Sequence, residues 1–582
     1  MKPNYDKYPT VSISGHDYAC WSGWAAIFEK IQADIAARDK VKTIIALETY
    51  PGVHDAEILE SVKTHLRPAV IIVAKDAYLT EAEIDRLTYP DVTDDRIFGY
   101  MTRLRIGQFF DEKKLDAIRK DLAASQGVVV VYGTGATILA EHWDLLVYAD
   151  MARWEIQLRM RRQKVANLGA ANFSLEFPQK YKRAYFVDWR VADRLKRELM
   201  EHWDYVLDTN LRSEPKMATG EAVRSALQQV VGRPFRVVPF FDPGPWGGQW
   251  MKEVCDLDRS APNFAWCFDC VPEENSLLLD FGKLTMEIPS INLVFYQPKN
   301  LLGENVFARF GAEFPIRFDF LDTMGGGNLS LQVHPLTEYI REHFGMFYTQ
   351  DESYYLLDAG DDAVVYLGLN ETIQPATMIA ELEAAQQTGV FDAEKHVAKW
   401  PVKKHDHVLI PAGTVHCSGK NSMVLEISAT PYIFTFKLWD WGRLGLDGLP
   451  RPINIGHGKA NIQWDRTTAW VRENLVNCFE PIAEGDGWRE ERTGLHETEF
   501  IETRRHWFTK TVHHHTGGGV NVLNFVKGRE AIVESPTGAF QPFVVHYAET
   551  FIIPAAVGAY TIRPYGESEG RECATVKAFV RS

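Results

Sequence analysis

Three short apolar runs, separated by charged amphipathic segments, dominate the first part of the chain. The runs are Val41–Leu47, Ala69–Val73 and Val128–Tyr132, and each has the length of a strand that is buried on both faces. Between them lie charged segments with helical spacing, such as residues 111–125. This alternation predicts an α/β domain over residues 1–215, with a parallel sheet covered by helices.

The pattern changes between about residues 211 and 240, where Pro and Gly bracket a short helical segment. From 236 to about 475 strand-like runs dominate, with one helical insertion near 376–388. From about 490 to 582 short β runs continue between Gly and Pro turns. We therefore predict two mostly β domains, 236–475 and 490–582, built as sandwiches or barrels.

Two segments of these β domains repeat weakly. His407–His416 and Thr550–Ala559 are each an apolar strand that runs into a Pro-Ala turn. The first segment ends in a histidine, whereas an alanine stands at the matching position of the second. The repeat predicts two related β barrels, of which only the first carries a ligand residue at this position.

Composition and charge narrow the range of partners. The 582 residues include 63 Lys and Arg against 78 Asp and Glu, a net charge of −15, which disfavours nucleic acid as a partner. No apolar run approaches the roughly 18 residues of a membrane span, and Met1–Asp6 has no apolar core. We therefore expect neither a membrane partner nor a signal peptide. The odd number of cysteines, with one CxxC pair at Cys267 and Cys270, is typical of a reduced, cytoplasmic protein.

Four residue types suited to metal binding occur at strand or turn positions. Ser330, Gln332 and His334 alternate with apolar residues along one strand-like run, so they share a face. Glu352 opens another such run, and His416 ends a third. Two imidazoles, one carboxylate and one amide oxygen suit a catalytic Zn²⁺, and also non-haem Fe(II) or Mn²⁺. The alternative is that the two histidines are separate core residues with their own hydrogen-bond partners.

Six short motifs follow one another over about residues 236–582: Pro245–Gly248, Ser330–Pro335, Glu352, Pro411–His416, Val424–Ile427 and Thr435–Arg443. In order and spacing they resemble the motifs of the type I mannose-6-phosphate isomerases, which are zinc cupins. The resemblance implies a mostly β double cupin, or jelly roll, with a helical insertion and a degenerate C-terminal cupin.

The resemblance also implies a site and an activity. The family's four metal ligands fall on Gln332, His334, Glu352 and His416, which implies Zn²⁺ with other divalent metals left open. Ser330 falls on the serine that is linked with the substrate phosphate. The implied reaction interconverts mannose 6-phosphate and fructose 6-phosphate through a cis-enediol or enediolate, so the expected partner is a small-molecule sugar phosphate.

Two positions depart from the family pattern. Lys437 stands where bacterial members carry a catalytic Arg, and Asp319 stands where the family tends to have Lys. We assign Lys437 and Arg443 to catalysis, because each adds positive charge near the enediolate or the phosphate. The departures leave two alternatives open: a non-catalytic or regulatory sugar-phosphate-binding cupin, and an isomerase that acts on another sugar phosphate.

Two further residues are candidates for substrate binding. Trp246 lies in the Pro-Trp-Gly-Gly run and either lines the pocket or packs within a tight turn. Glu426 lies in the Val424–Ile427 run and, like Asp440, is also a candidate for the general acid/base that the isomerisation requires.

The N-terminal domain carries a weaker signal. A glycine turn follows the strand at Val130–Ala136, but the chain contains no GxxxxGK[ST] phosphate-binding pattern. Lys75–Tyr78 and the Arg-rich helix Arg153–Arg162 resemble uridine-kinase-type nucleoside kinases over about residues 1–210. This resemblance implies a P-loop-kinase-like fold without a Walker A motif. The readings left open are a non-catalytic relative that binds a nucleotide, docks a partner or stabilises the isomerase part, and an active kinase in a bifunctional enzyme.

Overall fold

The computed structural model describes residues 3–444, 451, 453–494 and 496–581. The chain folds into two compact units. The α/β unit comprises Thr10–Val230 and Glu273–Gln297, and the β unit comprises Met1–Pro9, Val231–Pro272 and Pro298–Ser582. The three domain ranges expected from the sequence stay a prediction.

Residues 10–230 alternate between strands and helices. The strands are β1 (Thr10–Ser12), β2 (Cys20–Ser22), β3 (Lys42–Thr49), β4 (Val70–Val73), β5 (Gly127–Gly133), β6 (Leu145–Asp150), β7 (Tyr205–Asp208) and β8 (Lys216–Thr219). The helices are α1 (Trp24–Arg38), α2 (Asp55–Ser61), α3 (Glu81–Val92), α4 (Glu112–Ala124), α5 (Ala136–Ala140), α6 (Arg153–Arg161), α7 (Phe177–Arg183), α8 (Trp189–Leu199) and α9 (Gly220–Val230).

Strands β2 to β8 form one sheet with the spatial order β2-β8-β7-β6-β3-β5-β4. The strands from β4 to β7 in this order run parallel, and β8 and β2 run antiparallel at one end. The parallel sheet expected from the apolar runs is therefore present. Val129, Val130 and Val131 of β5 have no exposed surface, as expected for a strand covered on both faces. In this sheet β5 and β4 lie on one side of β3, and β6 and β7 lie on the other. The connection from β3 to β4 and the connection from β5 to β6 therefore run in opposite directions across the sheet, which places a topological switch point beside β3.

Residues 231–297 supply strands to both units. The strands are β9 (Phe240–Asp242), β10 (Trp266–Cys270), β11 (Ser276–Asp280) and β12 (Thr285–Pro289), and the helices are α10 (Trp250–Val254) and α11 (Ile291–Tyr296). The β11–β12 hairpin pairs with β1 in a second sheet of the α/β unit. The buried amine of Lys196 donates to Asp150 (2.7 Å) and Asn292 (3.1 Å), which ties α11 to the main sheet.

The rest of the β unit follows in chain order. Its strands are β13 (Ile316–Asp322), β14 (Leu331–Val333), β15 (Glu352–Ala359), β16 (Val364–Leu369), β17 (Val397–Pro401), β18 (His407–Ile410), β19 (His416–Ser418), β20 (Ser422–Ala429), β21 (Phe436–Trp439), β22 (Glu480–Gly485), β23 (Trp488–Gly494), β24 (Ile501–Phe508), β25 (Val512–His515), β26 (Asn521–Lys527), β27 (Glu530–Glu534), β28 (Phe543–His546), β29 (Thr550–Ile553), β30 (Ala559–Pro564) and β31 (Cys573–Val580). Its helices are α12 (Pro298–Leu302), α13 (Glu304–Phe310), α14 (Thr337–Phe344), α15 (Pro375–Thr388), α16 (Ala393–His396), α17 (Ile455–Asn461) and α18 (Thr468–Asn474). Helix α15 is the helical insertion expected near 376–388.

These strands form two pairs of antiparallel sheets, which we call the first and second barrels. The first barrel has the sheets β18-β15-β20-β13-β10-β9 and β17-β16-β19-β14-β21. The second has the sheets β22-β23-β24-β31-β26-β29 and β25-β30-β27-β28. Its interior is apolar around residues such as Phe525, Phe551 and Tyr560. Within the part of the chain that the structure describes, no helix is both long enough and apolar enough to cross a lipid bilayer.

Candidate metal centre

The four candidate ligands come from the two facing sheets of the first barrel. Gln332 lies on β14 and His334 directly after it, and Gln332 pairs across the ladder with His416 at the start of β19. Glu352 begins β15 in the opposite sheet. All four side chains are buried. The structure thus brings together residues that are up to 84 positions apart in the chain.

The donor atoms of these residues converge. Glu352 Oε2 lies 3.1 Å from His334 Nε2, and Glu352 Oε1 lies 2.9 Å from His416 Nε2. One ligand atom from each of the three residues lies within 4.8 Å of the other two. The side-chain amide of Gln332 lies 3.2 Å from His416 Nε2. Because rotation of the amide exchanges its nitrogen and oxygen, Gln332 can turn an oxygen toward the same point.

Both imidazole rings are oriented by backbone carbonyls. Nδ1 of His334 lies 3.2 Å from the carbonyl of Phe434, and Nδ1 of His416 lies 2.8 Å from the carbonyl of Thr414. A carbonyl only accepts, so each Nδ1 carries the proton and each Nε2 presents a lone pair to Glu352. This is the arrangement in which a second hydrogen bond orients a metal-ligating histidine.

Hydrogen bonds within the protein do not satisfy all the polar atoms of this cluster. Within the described residues, the buried atoms His334 Nε2 and Glu352 Oε1 have no hydrogen-bond partner. Burial acts to raise the pKa of Glu352, and only positive charge beside the carboxylate, at the imidazole positions, lowers that pKa below its usual range. A buried carboxylate that stays ionised beside two imidazole lone pairs needs a positive charge. These residues therefore fit a divalent cation.

A row of charged side chains continues along the inner face of the same sheet. Arg317 and Asp319 of β13 form a buried ion pair, and Arg317 also lies 3.5 Å from Glu426 of β20. Burial raises the pKa of Asp319 to about 7, against the lowering effect of Arg317. Burial, followed by the charge of Glu352, raises the pKa of Glu426 well above its usual range. Sequence analysis did not single out Arg317, although alternation along β13 places it on the same face as Asp319.

A second group of charges surrounds Asp440. Its carboxylate accepts from Ser330 Oγ (2.7 Å), and its other contacts are with Arg443 (2.9 Å) and Arg451 (2.6 Å). Arg443 also donates to the carbonyl of Asn328. Asp440 therefore fixes Ser330 and two guanidinium groups in one place.

Lys437 lies on the ligand face of its sheet. It pairs in register with Gln332, so the two side chains leave the sheet on the same side. Burial, and then the charge of Arg451, lowers the pKa of Lys437 to about 8. Trp246, in contrast, is buried and packs edge-on against Trp266 with ring centroids 4.7 Å apart. Its place in a substrate pocket stays a prediction, as do the roles assigned to the other site residues.

Comparison with known proteins gives two separate matches. Residues 23–232 match a family model described as a domain of unknown function (DUF8485). Mannose-6-phosphate isomerase ManA of Bacillus subtilis (strain 168) is 32% identical over 145 residues, which are 25% of this chain and 43% of that protein. Mannose-6-phosphate isomerase of Streptococcus mutans serotype c is 30% identical over 212 residues, or 36% of this chain and 61% of that protein.

The chain is also similar to solved structures of proteins with the same name. The mannose 6-phosphate isomerase from Bacillus subtilis has 18% identity and a TM-score of 0.47, and the match covers 59% of this chain and 99% of that one. A zinc-bound mannose 6-phosphate isomerase has 14% identity and a TM-score of 0.45, covering 60% of this chain and 100% of that one. The chain spans about half the length of the curated relatives it matches. It is therefore similar to mannose-6-phosphate isomerases at low identity and over part of their length, and the kinase-like resemblance of its N-terminal part stays a prediction.

Proposed function

We propose that the protein is a metal-dependent aldose–ketose isomerase that interconverts mannose 6-phosphate and fructose 6-phosphate. One observation carries the proposal: the buried donor atoms of His334, Glu352 and His416 converge on one point, beside the amide of Gln332. The similarity to mannose-6-phosphate isomerases supports this choice of substrate.

The four residues would hold Zn²⁺, and the donor set also suits Fe(II) or Mn²⁺. When bound, the ion supplies Lewis-acid stabilisation of a sugar oxygen that becomes negatively charged. The backbone carbonyls that accept from His334 and His416 keep both Nε2 atoms aimed at the site. The protein thus orients the donors in advance and shields them from water.

Other side chains of this protein would bind the phosphate, stabilise the enediolate and transfer the proton. Arg443, held by Asp440, presents a guanidinium to the substrate phosphate, and the hydroxyl of Ser330, which donates to Asp440 here, would turn its proton to a phosphate oxygen. Lys437, on the ligand face, adds positive charge near the developing enediolate. A proton must move between C1 and C2 of the opened sugar. Burial and the charge of Glu352 raise the pKa of Glu426 well above its usual range, so we assign to Glu426 rather than Asp440 the role of the group that holds this proton.

The test is an activity and metal assay on the full chain. Conversion of mannose 6-phosphate should vanish with a chelator and return with Zn²⁺, and the His334→Ala variant should lose both bound metal and turnover. The exposed His513→Ala variant is the matched control and should keep both. Full turnover in the metal-free protein or in the His334→Ala variant would refute the proposal, and a panel of hexose and pentose phosphates fixes the substrate.

A second candidate is a sugar-phosphate-binding cupin without turnover. It is favoured by Asp319, which neutralises Arg317 at a place where the resembled family tends to have a lysine. Exchange of the substrate's C2 proton with deuterated solvent separates the two functions. Binding of mannose 6-phosphate without such exchange would establish the second candidate.

A further inference from the structure

The side chain of Gln350 connects two carboxyl groups inside the first barrel. Its amide nitrogen donates to Oε2 of Glu352 (2.9 Å) and lies 3.5 Å from Oε1 of Glu426. Gln350 is only 3% exposed, so water does not compete for these contacts. It stands two residues before β15 begins at Glu352, and sequence analysis did not single it out. Gln350 thus links a proposed metal ligand to the group that is assigned to the proton.

The backbone on either side of Gln350 is held by segments that carry the proposed ligands. The buried hydroxyl of Thr349 donates to the carbonyl of Pro335, which follows one of the two histidine ligands. The buried carboxylate of Asp351 accepts from the amide of Ala412 (2.8 Å), in the turn that leads to the other histidine. The side chain of Gln350 therefore starts from a backbone that is tied to the proposed metal centre on both sides.

The neighbours of Gln350 fix the orientation of its amide. An ionised carboxylate only accepts hydrogen bonds, and in a glutamine side chain only the nitrogen donates. The nitrogen of Gln350 must therefore face Glu352. The other end of the amide, Oε1, is buried and has no hydrogen-bond partner within the described residues. An unpaired buried carbonyl costs free energy, so packing alone does not explain a glutamine at this position.

The contacts of Glu426 are gathered on one of its two oxygens. Oε1 accepts from the hydroxyl of Ser428 (3.0 Å) and lies 3.5 Å from a guanidinium nitrogen of Arg317, in addition to the contact with Gln350. Oε2 takes part in none of these contacts. Donors on one oxygen of a carboxyl group leave the other oxygen to carry the proton. Oε2 is therefore the atom of Glu426 that can take and return a substrate proton.

The contacts of Glu352 are divided between its oxygens in a similar way. Oε2 accepts from Gln350 and faces His334, whereas Oε1 faces His416 and has no hydrogen-bond partner within the described residues. Hydrogen bonds from neighbouring groups orient the carboxylates that ligate metals. The amide of Gln350 therefore acts on both carboxyl groups at once, since it fixes the rotation of Glu352 and donates toward Glu426.

We propose that Gln350 is a positioning residue of the isomerase, whose amide holds the ligand Glu352 and the proton-transferring Glu426 in a fixed relation to each other. The inference rests on the proposed function. Gln350 acts through the two carboxyl groups and not on the reacting atoms. Its loss should therefore weaken metal binding and lower kcat, while KM for the sugar phosphate changes little.

The variant Gln350→Met tests the proposal in the full chain, since methionine has a similar length and adapts its shape to its surroundings but has no hydrogen-bond donor. Its affinity for Zn²⁺, measured by competition with a chelating dye, should be about tenfold lower than that of the unaltered protein. At saturating Zn²⁺ its kcat for mannose 6-phosphate should still be about tenfold lower. KM should change by less than about twofold.

Gln157→Met is the matched control. Gln157 is a buried glutamine of α6 that also donates to a buried glutamate, Glu274, but both residues belong to the α/β unit. This variant loses the same kind of hydrogen bond and should keep the Zn²⁺ affinity and kcat of the unaltered protein. Losses in the control equal to those of Gln350→Met would overturn the proposal, because they would not be specific to the metal centre.

A double-mutant cycle shows whether Gln350 acts through Glu426. Glu426→Gln alone should lower kcat at saturating Zn²⁺ at least about 10²-fold, the contribution expected of a general acid or base. Addition of Gln350→Met to this variant should lower kcat further by less than about twofold, because the group that Gln350 positions is already lost. A further tenfold fall in the double variant would show that Gln350 acts independently of Glu426 and would overturn the proposal.

Two results from the single variant would also overturn it: unchanged Zn²⁺ affinity, or full kcat at saturating Zn²⁺. Thermal unfolding separates positioning from a merely structural role, since Gln350→Met also removes the unpaired carbonyl and should unfold at the same temperature as the unaltered protein or higher. If Gln350→Met does not fold, Gln350→Glu replaces it, because it keeps the shape of the side chain, loses the donor and should show the same losses.

Failure of the proposed function gives a different result. If the unaltered protein binds Zn²⁺ but does not convert mannose 6-phosphate, the proposed function is refuted and the Zn²⁺ affinity of Gln350→Met decides the role of Gln350. Affinity about tenfold lower would still support the positioning of Glu352, and unchanged affinity would overturn it.

Discussion

The two barrels of the β unit have the same strand order but different interiors. In one sheet, the strands β18, β15, β20 and β13 of the first barrel correspond in order to β29, β26, β31 and β24 of the second. In the facing sheet, β17, β16, β19 and β14 correspond in order to β28, β27, β30 and β25. The weak sequence repeat fits this correspondence, because His407–His416 covers β18 and Thr550–Ala559 covers β29. The expectation of two related barrels is therefore met by their topology.

The ladder registers identify equivalent positions. Ile410 pairs with Glu352, and its counterpart Ile553 pairs with Asn521. In the same way His416 pairs with Gln332, whereas Ala559 pairs with His515. The second barrel thus has an amide in place of the carboxylate and an exposed Ala559 in place of the buried imidazole. Its backbone repeats that of the first barrel, but it does not repeat the ligand set.

The charged row on the inner face is reversed in sign. The same registers place Lys577 at the position of Glu426, Arg504 at the position of Asp319 and Glu502 at the position of Arg317. Strand pairing and apolar packing stabilise the fold of both barrels. A few inward-facing side chains can therefore differ in charge between the barrels. A barrel of this kind specifies a frame and leaves the site to individual side chains.

Removing a metal ligand should give the largest effect and should separate the two barrels most sharply. His416→Ala is expected to lower kcat/KM at least about 10³-fold, since Lewis-acid stabilisation contributes several kcal/mol. Metal analysis should find less than one ion per chain. The converse change in the second barrel, Ala559→His, should leave metal content and kcat/KM unchanged, and a second bound ion there would contradict the comparison.

Truncation of a core side chain in the second barrel should lower the stability of the protein without changing the proposed metal centre of the first barrel. Phe525 is fully buried in its apolar cluster, so Phe525→Ala should lower the free energy of unfolding by about 3–5 kcal/mol. Denaturant titration measures this change. Added Zn²⁺ should raise the thermal midpoint of the variant as much as that of the unaltered protein, because the proposed ligands lie in the first barrel. Loss of the Zn²⁺ effect would show that the barrels are not independent in this respect.

The reversed charge row predicts a pH dependence of stability. Burial, against the raising effect of Glu490, lowers the pKa of Lys577 to about 8 from an ordinary 10.5. Between these values the unfolded chain binds more protons, so stability rises with pH, and below pH 8 the folded state carries the full cost of the buried charge. Lys577→Met should therefore stabilise the protein at pH 7 by on the order of 1–3 kcal/mol, and the gain should fade toward pH 10.5. Lys510→Met on the surface should change stability by less than about 0.5 kcal/mol at any pH, and an equal gain there would contradict this account.

The smallest expected effect is a shift in the pH profile of the first barrel. Because the pKa of Lys437 is about 8, its amine is protonated below that pH and loses its charge above it. If the charge serves the reaction, kcat/KM should fall about tenfold per pH unit above pH 8. Lys437→Arg should remove this fall, because a guanidinium keeps its proton. A fall that persists unchanged in the variant would assign it to another group.

Local patterns predicted the elements better than their partners. The apolar runs at Val41–Leu47 and Val128–Tyr132 indicated buried parallel strands, and β3 and β5 pair in that way. The alternation around Gln332 and His334 also predicted that both side chains lie on the same face of one strand. Each of these signals depends on neighbours in the chain.

Contacts between distant segments carried no such signal. The pairing of β1 with β11 joins residues that are 268 positions apart, since Thr10 pairs with Leu278. Nothing in the local pattern of residues 273–297 assigns them to the α/β unit. The contact of Arg317 with Glu426 was missed for the same reason, because Glu426 comes from another strand of the sheet. Register across a sheet is set by long-range pairing, which a single sequence does not display.

The discontinuity of the α/β unit has a consequence for how the protein is made. Its last hairpin and helix end at Gln297, after a stretch of the chain that belongs to the β unit. On the ribosome, the growing chain can finish this unit only once residue 297 has emerged, and a nascent chain that ends near Val230 still lacks Asn292 beside Asp150 and Lys196. The N-terminal segment must wait for later residues before it reaches its native state, so translation speed through residues 231–297 sets how long it stays exposed to chaperones and proteases.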